Sequence, residues 1–469
     1  MGRRKGGHEK ESSARSARDS HDDHDDDIRS TTSHDTIESG ISHHSAGLPA
    51  PGGRRAARAS GGGAHPLGAN PLEDPDENGA GEGGAANGDE DAPLDPLSDA
   101  LDKLGEKRSA TRLAGLGALL TLLQAAADLD AIHARRAALA EAVLACLRRP
   151  AAPAEAEAAA RAAAALCVCL GAEEDELYRQ LARLLTTSIT RGKHEGSRVE
   201  ACRALAMACF VCSSDDDAND EALATLSAVF SRTSEGTEVT DDVAAAALRG
   251  WCLLATAGPR EWLGGPALEA LLPAVRDLLA GGASLDVREA AGEAAALMRE
   301  AADALRAAQA EAGIEEAAAE EYSDVETLWQ EIGDLMQGYS TETSKRMSKD
   351  TKKSQRRTFR DLHAAVVEGA PPPWQELSLQ SCAVEITTWA ELVRLEALRA
   401  CLHGGLQSQA AHNATVRDIL GAVDGGGAAG GTPALAKSGG ARKYRSETRS
   451  RQRASRQNAK DSFLWDEGA

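Results

Sequence analysis

Apolar positions recur at helical spacing from about Leu97 to Met336, broken at short intervals by Gly, Pro and acidic clusters. The pattern predicts helices near 97–106, 109–127, 132–148, 154–170, 173–190, 197–212, 219–232, 241–257, 266–280, 285–310 and 322–336. The breaks are Arg149-Pro150, Gly171, 192–196, 213–217, Gly258-Pro259 and Gly281-Gly282, rich in the residue types that stop or cap helices. Acidic loops such as 215–217 are expected to cap helix starts.

The helices recur in pairs. Val199, Val243 and Val287 each open an Ala-rich helix, at spacings of 44 and 44, and Arg161-Ala-Ala-Ala-Ala-Leu sits 42 before Arg203-Ala-Leu-Ala. A period of roughly 40 to 47 residues with two or three helices is the mark of armadillo or HEAT repeats. One helix pair cannot cover its own apolar face, so pairs stack and share a continuous core. The predicted fold class is all-α: an armadillo/HEAT-like helical solenoid with a small C-terminal helical domain and disordered termini. A generic Ala-rich bundle is the plain alternative, and the repeating period favours the solenoid.

The chain divides by pattern into five parts. Residues 1–95 are acidic and rich in Gly, Ser and His, lack periodicity, and are expected to be disordered. Residues 96–340 form the armadillo-like repeat domain, 341–357 a basic linker, and 358–422 a small C-terminal helical domain. Within that last domain, Leu392, Leu395, Leu398 and Leu402 line one face of a helix over 389–402, and Ala370-Pro-Pro-Pro-Trp374 is a turn or extended lead-in. Residues 423–469 are a Gly-rich linker and an Arg-rich tail.

Composition supports this picture. Hydrophobic residues make up 42% of the 469 positions but aromatics only 3%, so the apolar mass is mostly Ala and Leu, both strong helix formers. The longest apolar run, 162–170, is far short of the roughly 18 to 20 residues that span a bilayer, so no membrane segment is expected. The N-terminus lacks an apolar signal region, and Gly6 stands where a myristoylation motif needs Ser or Thr. Nine cysteines, an odd number in mostly apolar surroundings, fit a reducing compartment, either cytoplasm or nucleus.

Charge is segregated. The chain carries a net −21, yet residues 437–460 hold nine Lys/Arg against Glu447, and 345–360 hold eight against Asp350. Without these runs, at +8 and +7, the rest stands at −36. Six of the nine cations in the tail are Arg, whose guanidinium pairs with phosphate in bidentate fashion and stacks on bases. Residues 441–460 contain no Pro or Gly and can form a helix of about 30 Å. The candidate polyanion-binding residues are therefore Arg442, Lys443, Arg445, Arg449, Arg451, Arg453 and Arg456, with an import signal or an acidic-protein dock as the alternative. Lys352, Lys353, Arg356 and Arg357 are a possible import signal, or simply an exposed charged linker.

Other constellations read as structural. His21 and His24 sit in a solvated acidic tract that needs no ligand. Cys209-x-x-Cys212, with Cys167 and Cys169 one repeat earlier, has zinc-like spacing, but on apolar helices these are core residues. Serine-nucleophile elbow, zinc-protease and phosphate-loop motifs are all missing. No enzyme, metal, cofactor or small-molecule substrate is expected.

The stretch Leu97-Ser-Asp-Ala-Leu-Asp-Lys-Leu-Gly-Glu-Lys-Arg-Ser-Ala-Thr-Arg112, the basic segment Lys353-Ser-Gln-Arg-Arg-Thr-Phe-Arg-Asp361, Ile386-Thr-Thr-Trp389 with Leu398 and Leu402, and Asn413 with Arg417 occur in a telling order. With the closing Lys/Arg ladder and Asp461-Ser-Phe463-Leu464, they resemble the interferon-related developmental regulator family over roughly residues 95–465. The resemblance implies an armadillo-type scaffold without enzymatic activity. It also implies association with non-translating ribosomes, or transcriptional co-regulation with corepressor assemblies. The expected function is a non-enzymatic scaffold that binds ribosomes or ribosomal RNA, or another polyanion, through its tail and docks proteins on its solenoid. The alternative is a nuclear co-regulator bridging transcription factors and corepressors.

Overall fold

The computed structural model describes residues 95–422, apart from 233–237, 282, 313–322, 342–347 and 379–382. Its helices are α1 (Pro96–Gly105), α2 (Ser109–Ala125), α3 (Leu129–Ala134), α4 (Arg136–Arg148), α5 (Pro153–Leu170), α6 (Asp175–Arg191), α7 (Glu195–Cys212), α8 (Asp216–Phe230) and α9 (Asp241–Ala255). There follow α10 (Arg260–Leu263), α11 (Pro266–Ala280), α12 (Leu285–Glu311), α13 (Ser323–Thr341) and α14 (Lys349–Glu368). A hairpin of β1 (Gln375–Ser378) and β2 (Ala383–Ile386) leads to α15 (Trp389–Leu402), a 3-10 turn (His403–Gly405), α16 (Leu406–His412) and α17 (Ala414–Leu420).

Local chemistry sets the helix ends. Asp95, Asp128, Asp215, Ser284 and Ser348 each accept a hydrogen bond from a backbone N–H of the helix they precede. Proline opens α1, α5 and α11, where its missing N–H is no loss. Gly369, with φ +67°, ends α14 in the left-handed region.

The helices stack in two layers. α2, α5, α7, α9, α12 and α14 lie side by side as a core layer, and α1, α4, α6, α8, α11 and α13 pack against them as an outer layer. The period is written into the hydrogen bonds between neighbouring pairs. Arg112 reaches Glu155 across 43 residues, Ser197 reaches the Pro153 carbonyl across 44, Cys212 the Cys167 carbonyl across 45, and Arg249 reaches Glu293 across 44. The chain is thus an armadillo-like helical solenoid. Small residues let the core helices close up: a Cβ on Gly250 of α9 would stand 3.0 Å from the Ala206 Cβ of α7.

Three core-layer helices have stretches that are apolar on every side. Residues 162–170 of α5, 204–212 of α7 and 250–255 of α9 are buried without a break. A helix buried all round must be covered on two faces. The outer layer covers one face. The chain's own C-terminal segment, 389–422, covers the C-terminal halves of the other.

Two boundaries differ from the sequence reading. A linker over 341–357 followed by a separate domain over 358–422 was expected, but α14 runs straight through that boundary. Gln355, Phe359, Leu362 and Val366 bury one face of it against the stack, with Leu362 filling the space beside Gly292 of α12. The segment after α14 belongs to the same compact unit as the repeats rather than to a domain of its own. Nor is that segment wholly helical. Leu377, Val384 and Ile386 alternate with exposed residues, and this period of two makes an antiparallel pair with Leu377 opposite Val384. The expected disorder of 1–95 concerns residues that, apart from Asp95, lie outside those described.

Candidate functional site

An α-helix leaves its last four carbonyls without a partner inside the helix. In the core layer several of these carbonyls are met by side chains of residues 389–422, which act as a latch. Gln409 donates to the Leu123 carbonyl and Ser408 to the Ala125 carbonyl, both in the last turn of α2. Asn413 donates to the Val168 carbonyl of α5 at 2.9 Å. Arg394 donates to the carbonyl of Thr256, the cap residue of α9, at 2.5 Å and to its hydroxyl at 3.0 Å, and its guanidinium lies 6.0 Å from the Phe210 ring of α7. In return, Gln124 of α2 donates to the Cys401 carbonyl at 3.0 Å. The latch therefore runs back along the layer, from α12 towards α2.

Its beginning is fixed from both sides. Thr388 and Glu391 form a reciprocal capping box at the start of α15. Glu300 of α12 accepts from the Trp389 N–H at 2.7 Å and the Ala390 N–H at 3.4 Å. Burial pushes the Glu300 carboxyl above its ordinary value, and the two backbone donors oppose that shift. At the 3-10 turn, a Cβ on Gly405 would sit 2.2 Å from the Gln124 carbonyl oxygen, so only glycine permits this approach. α17 then packs on α5 and α15, which fixes the point from which residues 423–469 continue.

Two charged sites tie neighbouring core-layer helices together. Glu155, fully buried on α5, accepts from Arg112 at 2.5 and 3.1 Å, from Ser109 at 2.8 Å and from the Ala151 N–H at 3.0 Å. Burial alone would raise its pKa, but these donors hold the carboxyl below the ordinary range. On α9 and α12, Arg249 bridges Asp286 at 2.8 Å and Glu293 at 3.4 Å. Burial, then the negative charge of Glu293, pushes the neighbouring Glu289 up to about 7.

The residues singled out from sequence fall in different places. Arg442, Lys443, Arg445, Arg449, Arg451, Arg453 and Arg456 lie outside the described residues, as do His21 and His24. Lys352, Lys353, Arg356 and Arg357 stand on the first half of α14, on an ordered helix rather than in a linker. Cys167, Cys169, Cys209 and Cys212 are buried in the core. Burial pushes the Cys169 thiol up to about 11 and Cys202 up to about 12, which leaves them protonated and inert. Asn413 and Arg417, quoted for the family resemblance, turn out to be latch residues; Arg417 donates to the Ala410 and Ala411 carbonyls. The sequence reading missed Glu300, Arg394 and Gln409. The unbroken apolar run 162–170 was the available signal that a second layer covers these helices.

Comparison with known proteins decides the family. The model for "Interferon-related developmental regulator (IFRD)" matches residues 73–367, more than half of the chain. The chain belongs to the interferon-related developmental regulator family. Such regulators, with their armadillo-type fold, are generally non-enzymatic scaffolds. In this regulator the family match ends just before the hairpin and latch. Among solved structures, one engineered protein is similar at 18% identity over 59% of this chain and 100% of its own, with a TM-score of 0.38. A designed armadillo repeat protein is similar at 14% identity over 58% of this chain and 99% of its own, with a TM-score of 0.36. No helix among the regulator's described residues is long and apolar enough to cross a membrane.

Proposed function

We propose that this regulator is a scaffold that presents its Arg-rich tail to ribosomal RNA and so regulates translation. The observation that carries the reading is charge segregation: nine Lys/Arg against one acid over 437–460, on a chain of net charge −21. An acidic body resists nonspecific contact with nucleic acid, while a concentrated basic arm gains from counterion release wherever it meets phosphate. The latch supports the same reading, because α17, the last described helix before the basic run in sequence, is packed on α5 and α15. Arg442, Lys443, Arg445, Arg449, Arg451, Arg453 and Arg456 are the residues assigned to phosphate. Protein partners would dock on solenoid surface that the latch leaves open.

Sucrose-gradient sedimentation of a cell lysate tests the reading. The regulator is expected with 80S-type particles, and Arg449→Ala/Arg451→Ala/Arg453→Ala is expected to shift it to the top of the gradient. Nuclear retention resistant to ribonuclease, with no ribosomal co-sedimentation, would instead identify a nuclear transcriptional co-regulator whose basic runs are import signals.

A further inference from the structure

The α14 helix carries a face that the tail reading does not use. Lys349, Lys353, Arg356 and Arg360 fall at i, i+4, i+7 and i+11, which places them in one stripe. The opposite face is held down by Gln355, Phe359, Leu362 and Val366, all buried. Lys352 and Arg357 flank the stripe, so residues 349–360 hold six cations against Asp350. Among the described residues, Lys349, Lys352 and Lys353 have no ion-pair partner, and Arg357 has a long contact of 4.0 Å with Asp361. Continuing along the same stripe come His363 and then Val367, which is 51% exposed. Beyond the Gly369 cap, Trp374 is 69% exposed, the most open large hydrophobic side chain among the described residues.

A terminal repeat needs a polar outer face for solubility alone. Mixed charge would serve that purpose, and the rest of this chain is strongly acidic, so a single-sign stripe asks for another cause. An import signal read as an extended peptide fits poorly, because Gln355 and Phe359 lock the run as helix. A single-sign row of cations complements phosphate, and an exposed indole complements an unstacked base, whose face it covers without regard to sequence. We infer that the outer face of α14, with Trp374 beyond its end, is a second nucleic-acid surface that takes a single strand, the helix tracking phosphates and the indole stacking on a base. The stripe runs about 16 Å from Lys349 to Arg360, a length on the order of three phosphate contacts. This site lies on a different element from the tail and stands or falls independently of it.

Fluorescence anisotropy of a labelled oligouridylate with the full chain tests the inference. The reference is the chain carrying Arg445→Ala, Arg449→Ala, Arg451→Ala and Arg453→Ala, so that the tail contributes little. That chain is expected to keep salt-dependent binding. Adding Lys353→Gln, Arg356→Gln and Arg360→Gln should weaken it at least about tenfold and flatten the log K against log salt slope by about 2. Lys353 and Arg360 are exposed and Arg356 is half-buried, and unchanged circular dichroism and melting should show that the fold is intact. Trp374→Ala should weaken binding about 5- to 100-fold with little change in slope. Equal binding by the reference and stripe variants at every salt concentration overturns the inference. So does a Trp374→Ala variant that matches its parent while a matched duplex competes as well as the single strand. Failure of the tail reading is a separate result: restoring the tail arginines would then add nothing.

Discussion

The Asn413 side-chain amide donates to the Val168 carbonyl at 2.9 Å, across 245 residues of sequence. The same nitrogen donates to Gln409 Oε1 at 2.8 Å, and the Asn413 oxygen accepts from the Thr415 N–H. Asn413 is 3% exposed and its partners Val168 and Gln409 are fully buried, so without the amide their oxygens would be left buried and unpaired. Leaving such a group unsatisfied costs about 1–3 kcal/mol. Asn413→Ala should therefore destabilise the protein by about 2 kcal/mol in urea unfolding and speed amide exchange over 406–420. A change below about 0.5 kcal/mol would show that the latch is not held by its polar contacts.

Gly405 tests the latch by shape instead of polarity. Its φ is ordinary for any residue, so Gly405→Ala adds no backbone strain, only a methyl in collision with the Gln124 carbonyl. Overpacking of this kind costs about 1–3 kcal/mol. The variant should show new proteolytic cleavage between α15 and α17, while cleavage within α5–α9 stays unchanged. An unaltered digestion pattern would mean that the turn can move off α2 freely.

The Arg112–Glu155 pair ties the first repeat to the second. Glu155→Ala removes the carboxylate that Arg112, Ser109 and the Ala151 N–H share, and it should destabilise the protein. Removing both members, as Arg112→Met/Glu155→Leu, should recover much of that loss. Chemical denaturation of the single and double variants measures the difference.

Glu289 makes stability depend on pH. Burial and Glu293 raise its folded pKa to about 7, above the ordinary glutamate value. A raised carboxyl pKa means that the folded state binds more protons, so its contribution is fully present below the unfolded pKa and is lost as pH rises towards 7. Glu289→Gln should therefore stabilise the protein above neutrality, on the order of 1 kcal/mol once screening by nearby water is allowed for, and have little effect near pH 5. Melting temperatures of both proteins across that range provide the check. A stabilisation that grows as pH falls would contradict the assignment.

Much of the fold was legible because each helix is a local event. Asp95, Asp215 and Ser284 cap where the sequence pattern starts helices, and the recurrence of Val199, Val243 and Val287 announces the repeat. The latch was not legible as a latch. Its helix over 389–402 was visible from Leu395, Leu398 and Leu402, but that helix packs on α9, α5 and α2, which lie more than a hundred residues away in sequence. Nothing local distinguishes a leucine facing its own small domain from one facing α9. The α14 boundary failed for a related reason. A run of cations reads as linker, whereas Gln355 and Phe359, spaced four apart, bury the other side of the same helix. Of the candidate site, the charge segregation was plain from the sequence, and the anchoring of the tail's root by α17 was not.

The central claim is that an acidic helical stack carries a basic tail in order to grip the phosphates of ribosomal RNA. The most direct measurement is equilibrium binding of the purified full-length chain to ribosomal RNA across a range of salt concentrations. Beside it stands the variant with Arg442, Arg445, Arg449, Arg451, Arg453 and Arg456 changed to Ala. The account predicts tight binding that weakens steeply with salt, and a variant that binds less well at low salt with a markedly flatter slope. Identical affinity and identical slope for the two proteins would contradict it.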